Sequence, residues 1–223
     1  MADGVSLSTD PGSNESDTVS VKCSARGPEM DDERRSAYLC AKDMVIQIET
    51  AQLLTQTGWY YEHFTSKEAT KLLQKEPEGT FLIRNSSDSK YLYSLSVKIN
   101  RGTTNVRILY LNGHFQLDSD ERSRAGMPKF DSAVALVDFY ARLTHMGKDY
   151  NCKWMESSGI KGLSIALQKP KPNRVVDLSH LCRLSIHRSV PNTVNRTEMR
   201  SFLDKLPVPG PLISYLKEYP YIH

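Results

Sequence analysis

Two arginines and a set of hydroxyls on neighbouring stretches of this chain are of the types needed to grip a multiply charged anion. Arg84 closes the apolar run Phe81-Leu82-Ile83 and is followed at once by Asn85-Ser86-Ser87-Asp88-Ser89. A guanidinium held against apolar surface is costly unless something pairs with it, and the run itself supplies no carboxylate. An external anion is the expected partner. Arginine suits that task because its planar fork engages two oxygens of a phosphate at once, where lysine offers a point charge. If strands pair in sequence order through turns near Asp88 and Gly102, Ser94 lies across from Arg84, and Arg107 lies near Ser96 and diagonal to Ser94. Arg84, Ser94, Ser96 and Arg107 then point from one face and, with the N–H groups of the polar loop, form a socket for a doubly charged tetrahedral anion.

A second constellation fits the spacing of a phosphatase loop: Cys182, five residues, then Arg188-Ser189. Such a loop needs a cradle of backbone N–H groups and a thiol of depressed pKa. The intervening Arg183-Leu184-Ser185-Ile186-His187 contains no glycine, and Cys182 sits on an apolar helical stripe as a small hydrophobe. No catalytic role is expected for it.

The elements that position the socket follow from hydrophobic period. Phe81-Leu82-Ile83, bounded by Glu78-Gly79 and the polar loop, reads as a short central strand covered on both faces, with Arg84 on the face of Leu82. Tyr91, Tyr93, Leu95, Val97 and Ile99 alternate with Leu92, Ser94, Ser96 and Lys98, which is strand period. Val106, Ile108 and Tyr110 continue the pattern, with Asn105 and Arg107 on the other face. Asn112-Gly113 marks a hairpin, because both central residues of a type I′ turn need positive φ. Helices flank this antiparallel meander. Thr65 to Glu68 has capping-box spacing ahead of Ala69, Leu72 and Leu73, and Asp131 can cap a helix carrying Val134, Leu136, Val137, Tyr140 and Leu143 inward. Leu163 to Leu167 reads as an edge strand, and Lys169-Pro170-Lys171-Pro172 marks a linker.

Upstream, the chain to about residue 33 is Ser, Asp, Glu, Gly and Pro with few large apolar groups, too little to offset the entropy of ordering. A disordered tail is expected over 1–33. Over 34–58, Leu39, Met44, Val45, Ile48, Ala51 and Leu53 recur at helical spacing and are expected to dock on the sheet domain downstream.

The bulk numbers exclude several classes. At 223 residues, 39% hydrophobic, with a formal net charge of +3 and basic residues dispersed, the chain has core enough for one domain and a smaller unit but no nucleic-acid footprint. No apolar run reaches membrane-spanning length, so no membrane insertion is expected and the chain is placed in the cytoplasm. Cys23, Cys40, Cys152 and Cys182 are far apart with no CxxC pair, so reduced thiols are expected, and neither cofactor nor metal.

Beyond the linker, Leu178, Leu181, Cys182 and Ser185 share a helical face with Ile186 beside it and Asp177 as a cap. Leu206-Pro207-Val208-Pro209 leads into a second stripe of Leu212, Tyr215, Leu216 and Tyr219. This segment is too small to hold a large core and is a candidate for folding on a partner.

The wording of these segments resembles known modules. Gly58-Trp59-Tyr60-Tyr61, Glu78-Gly79-Thr80-Phe81-Leu82-Ile83-Arg84 and Tyr93-Ser94-Leu95-Ser96-Val97 look like an SH2 domain, the phosphotyrosine reader, over about residues 59–168. Asp177-Leu178-Ser179-His180-Leu181-Cys182-Arg183 with Leu206-Pro207-Val208-Pro209 and Tyr215-Leu216 looks like a SOCS box. Together they resemble the suppressors of cytokine signalling, in the branch of the cytokine-inducible SH2 protein. The resemblance implies an α+β fold: an SH2-type central antiparallel sheet flanked by two helices, an N-terminal helix, and a small C-terminal all-helical box. Its implied boundaries are an extended helix over 34–58, the SH2 domain over 59–170, a linker over 171–176 and the box over 177–223.

By the same resemblance, Arg84 pairs with the phosphate, Ser86 and Ser87 belong to the phosphate loop, and Ser94 and Arg107 flank ring and phosphate. Ser66 stands where many such domains carry an arginine, and Asn105 where many carry a histidine. Leu178, Leu181, Cys182 and Ile186 would enter an elongin C groove, with elongin B alongside, and Leu206, Pro207, Val208 and Pro209 would meet a cullin 5 scaffold. His187 to Lys205 is longer than the resemblance implies. The expected function is a non-catalytic adaptor that delivers phosphotyrosyl receptors or kinases for ubiquitin transfer. The alternative is a competitor that blocks phosphotyrosine sites without ubiquitin transfer.

Overall fold

A computed structural model of the chain describes residues 32–119, 124–146, 154–155, 161–163, 166–190 and 196–223. Most of the expected tail, Cys23, Cys152 and parts of the loops 118–130 and 144–162 lie outside the described residues.

The chain begins with helix α1 (Asp32–Thr57), followed by strand β1 (Tyr60–Tyr61) and helix α2 (Ser66–Leu73). Three longer strands come next, β2 (Thr80–Asn85), β3 (Tyr93–Ile99) and β4 (Gly102–Leu111), then β5 (His114–Leu117) and helix α3 (Ala133–His145). Two short pieces, β6 (Trp154–Met155) and β7 (Lys161–Leu163), pair with each other, and β8 (Lys169–Pro170) returns to the main sheet. Helices α4 (Leu178–Ser189), α5 (Arg196–Leu203) and α6 (Gly210–Glu218) complete the described chain.

The α+β class is as expected, but the sheet is mixed. β2 to β5 form the antiparallel meander, while β1 and β8 lie end to end along the free edge of β2, both parallel to it. Of the expected edge strand at Leu163–Leu167, Leu163 ends β7 and Ser164 and Ile165 lie outside the described residues; the proline segment itself supplies β8. Proline can sit there because an edge strand needs hydrogen bonds on one side only.

β2 is covered on both faces, as its apolar run requires. Phe81 and Ile83 enter the main core with Leu95, Val97, Leu136 and Tyr140, while Leu82 packs with Tyr61, Ala69 and Leu73 beneath α2. Burying each such side chain contributes about 1.5–3 kcal/mol relative to exposure. Arg84 therefore emerges on the α2 face. At the hairpin, Asn112 (φ 51°) and Gly113 (φ 78°) both take the positive values that the turn demands. Thr65 and Glu68 make the expected capping box. Ser132, not Asp131, caps α3, its Oγ accepting the Ala135 N–H at 3.0 Å.

Helix α1 meets the expectation only in part: Leu53 packs against the main core, joined there by Ile46. Its Asp43 carboxylate accepts from the Tyr110 hydroxyl at 2.8 Å, and Thr50, Leu54 and Thr57 are buried. Leu39, Met44, Val45 and Ile48 are each more than half exposed.

Candidate functional site

Strand register brings the socket together. Ser94 is the Cα partner of Arg84 on one side and of Arg107 on the other, so the three residues form a row across β2, β3 and β4. Arg107 is thus directly opposite Ser94 rather than diagonal to it, and Asn105 takes the place opposite Ser96.

Arg84 is 3% exposed, and among the described residues no carboxylate pairs with it. Its Nε donates to Ser96 Oγ at 3.2 Å, its Nη1 to the Asn85 carbonyl at 2.9 Å and its Nη2 to Asn105 Oδ1 at 3.2 Å. Ser96 Oγ donates in turn to Asn105 Oδ1 at 2.7 Å. A guanidinium carries five N–H donors, so these contacts orient the fork and leave donors for an anion. Burial pulls the Arg84 pKa down from its ordinary value, the expected cost of a desolvated cation that lacks a counter-charge.

Arg107 is the solvent-facing arm. Its Nη2 lies 3.5 Å from Asp88 Oδ2, and its guanidinium stands 5.0 Å from the centre of the Tyr91 ring. The Tyr91 hydroxyl donates to Asp118 at 2.9 Å, which fixes that ring. Ser86 Oγ accepts the Asp88 N–H at 3.1 Å, shaping the loop, whereas Ser87 is exposed in it. Ser94 is buried in the row. Ser66, half-buried as the first residue of α2, adds no charge. Such an arrangement can bind a dianionic phosphate.

Asp88 and Tyr91 join the site without having been expected in it, and Ser96 and Asn105 take a larger part than expected by holding Arg84. Ser96 and Asn105 share the Arg84 face by strand alternation, so the sequence does carry a signal for them.

The second site is on α4, whose amphipathicity is inverted. It buries His180, Arg183, Leu184 and His187, and exposes Leu178 (75%), Leu181 (44%) and Ile186 (37%) beside the exposed free Cys182. Asp177 sits at the N-cap position without a side-chain cap bond. Because Cys182 and Arg188 lie on one continuous helix, and Arg188 Nε donates to the Ile222 carbonyl at 2.8 Å, no phosphate cradle exists between them.

Of the proline segment, Pro207, Val208 and Pro209 are exposed, whereas Leu206 packs partly against Val190, Met199, Leu203, Leu216 and Ile222. The long stretch after His187 contains α5, which builds that small core.

Polar groups join the terminal helices to the sheet domain. Arg183, 2% exposed, donates to the Tyr215 carbonyl at 3.1 Å and to Gln56 Oε1 on α1 at 3.2 Å. It lies between the rings of Tyr215 and Tyr219, 4.3 and 5.1 Å from their centres. The Ile222 N–H donates to Asp138 on α3 at 3.0 Å, and the His223 ring meets Phe81 edge-on. The expected linker is fastened too: the Lys171 N–H donates to the Phe81 carbonyl at 2.7 Å and the Asn173 N–H to the Gly58 carbonyl at 2.8 Å.

Comparison with known proteins assigns each of these two regions to a domain family. Residues 59–140 match the SH2 domain family and residues 176–217 the SOCS box family. The chain is 34% identical over 191 residues to the "Cytokine-inducible SH2-containing protein" of Gallus gallus, covering 81% of this chain and 73% of that one. It is 39% identical over 168 residues to the "Suppressor of cytokine signaling 2" of Homo sapiens, covering 75% and 78%. With the "Suppressor of cytokine signaling 3" of Gallus gallus it shares 32% over 198 residues, covering 83% and 88%.

Proposed function

Since the chain belongs to the suppressor of cytokine signalling family, we propose that it is the substrate-recognition adaptor of an elongin–cullin ubiquitin ligase that selects its targets by phosphotyrosine. It damps cytokine or growth-factor receptor signalling of the JAK–STAT type, as a negative feedback component.

In this reading Arg84 and Arg107 clamp the phosphate, with Ser86, Ser87 and Ser94 as hydroxyl partners, and Ser96 and Asn105 hold Arg84 in aim. The phosphotyrosine must come from a receptor or its kinase. Leu178, Leu181, Cys182 and Ile186 enter elongin C, elongin B binds alongside, and Leu206 to Pro209 meet cullin 5. The observation that carries the adaptor reading is the inverted helix α4, which buries His180, Arg183 and His187 with Leu184 and offers Leu178, Leu181 and Ile186 outward. A helix that served only its own fold would bury the apolar side. Helix-in-groove docking uses such exposed anchors. Among the described residues, no helix is long and apolar enough to cross a membrane, in keeping with a cytoplasmic place of action.

Co-expression with elongins B and C, followed by phosphotyrosyl-peptide capture, tests the reading. The complex should co-purify and bind phosphopeptide, and Leu181→Ala with Cys182→Ala should lose the elongins while keeping the peptide. Unchanged elongin binding by the double variant would sink the adaptor role. Phosphopeptide binding with no elongin association by the natural chain would leave the competitor that blocks sites without ubiquitin transfer.

A further inference from the structure

The loop between β2 and β3 carries an acid beside the socket. Asp88 is fixed there by three local hydrogen bonds: its N–H donates to Ser86 Oγ at 3.1 Å, its Oδ1 accepts the Lys90 N–H at 3.1 Å, and its carbonyl accepts the Tyr91 N–H at 3.0 Å. The remaining oxygen, Oδ2, lies 3.5 Å from Arg107 Nη2. Arg107 is the arm of the row that solvent reaches, with 38% of its side chain exposed against 3% for Arg84.

We propose that Asp88 is an affinity-setting residue that occupies Arg107 in the empty socket and must yield it when a phosphotyrosine enters. This rests on the phosphotyrosine reading of the socket and deepens it. The contact is long for a charge-assisted bond and open to water, which makes it exchangeable. An arriving dianion forms a shorter, forked contact with the same guanidinium and at the same time is repelled by the carboxylate it displaces. Both effects lower affinity for the phosphate relative to a socket with a neutral loop. They act at the phosphate itself, so they apply to every phosphotyrosyl partner alike, and discrimination between partners falls to contacts outside the socket.

The rival role for Asp88 is to pre-position Arg107 for the ligand, and the two roles predict opposite signs. Asp88→Asn keeps Oδ1 for the Lys90 N–H and removes only the charge. The test is titration of the full chain and of its Asp88→Asn and Asp88→Glu variants with phenyl phosphate, followed by NMR, at low and high salt. Asp88→Asn should bind about three- to tenfold more tightly, since an exposed pair is worth up to about a factor of five and the lost repulsion adds to it. The gain should shrink as salt rises. Asp88→Glu should stay at or below the natural affinity. Equal or weaker binding by Asp88→Asn with an unchanged spectrum elsewhere would overturn the proposal. No binding by the natural chain or by Asp88→Asn would overturn the phosphotyrosine reading itself and the proposal with it.

Discussion

Arg84 reaches past its paired neighbour Ser94 to Asn105, donating at 3.2 Å to a side chain two strands away. The guanidinium therefore leans along the sheet, and its aim depends on β4 as much as on β3. Arg84→Lys cannot span Ser96, Asn105 and a ligand at once. The loss should be about 1.5–3 kcal/mol or more, an affinity fall of at least tenfold. Phosphotyrosyl-peptide titration showing equal affinity for variant and natural chain would refute the site.

Asn105→Ala makes a milder version of the same test. It leaves Nη2 unpartnered and Arg84 free to swing, so phosphopeptide affinity should fall by about 1 kcal/mol with little change in melting temperature. A change confined to melting would assign Asn105 to the fold alone.

Arg183 is buried between two tyrosine rings, and its hydrogen bonds go to neutral acceptors. Lysine at that position would keep the charge and lose the fork and the stacking. Arg183→Lys should destabilise by about 2–3 kcal/mol, more than Arg183→Met, which removes the charge with its desolvation cost. Thermal denaturation of the three chains in parallel decides it, and a lysine variant as stable as the natural chain would count against the account.

The junction between the terminal helices and the sheet domain should weaken in acid. Burial pushes His180 down to about 4 and His223 to about 3, and lowers His187 as well. A histidine whose folded pKa is depressed binds its proton more readily when unfolded, so its contribution is complete above about pH 6.5 and is lost as pH falls toward the folded values. Melting temperature should fall steadily from pH 7 to pH 5, and His180→Gln should flatten that slope. A flat profile in the natural chain would show that these rings accept protons without disturbing the junction.

Gly58 has φ +73°, and a Cβ there would collide with Val176 Cγ1. Gly58→Ala should therefore cost the left-handed strain of about 1 kcal/mol together with displacement of the segment before α4. Hydrogen exchange should rise at Asn173 to Val176 before it rises in the strands.

Strand alternation makes the faces of the sheet legible in the sequence, because its period of two is fixed by geometry. It does not determine the partner of Arg107. The β3–β4 turn centres on Asn100-Arg101, with Ile99 opposite Gly102, and moving a turn centre by one residue shifts register by two. The shift keeps every residue on its face and replaces its neighbour. Helix α1 departs from expectation for a different reason. Its apolar stripe is plain, but periodicity cannot tell a face that closes a core from one left outside. Here Asp43, Thr50 and Leu54 hold the sheet domain instead. The polar junction is invisible in the sequence because His180, Arg183 and His187 on a helix read as solvated until Tyr215, Tyr219 and Gln56 surround them.

β8 and the hydrogen bonds just beyond it have a mechanical consequence. In the proposed adaptor, a free tether between the module that reads a target and the one that meets the ligase would let captured cargo sweep a wide volume. Lys169 to Asn173 instead lie along the free edge of β2 and against Gly58, so the sheet domain and helix α4 turn as one body. An adaptor built this way would present its cargo at a set angle and distance. Which of its lysines can be reached becomes a matter of geometry rather than of search.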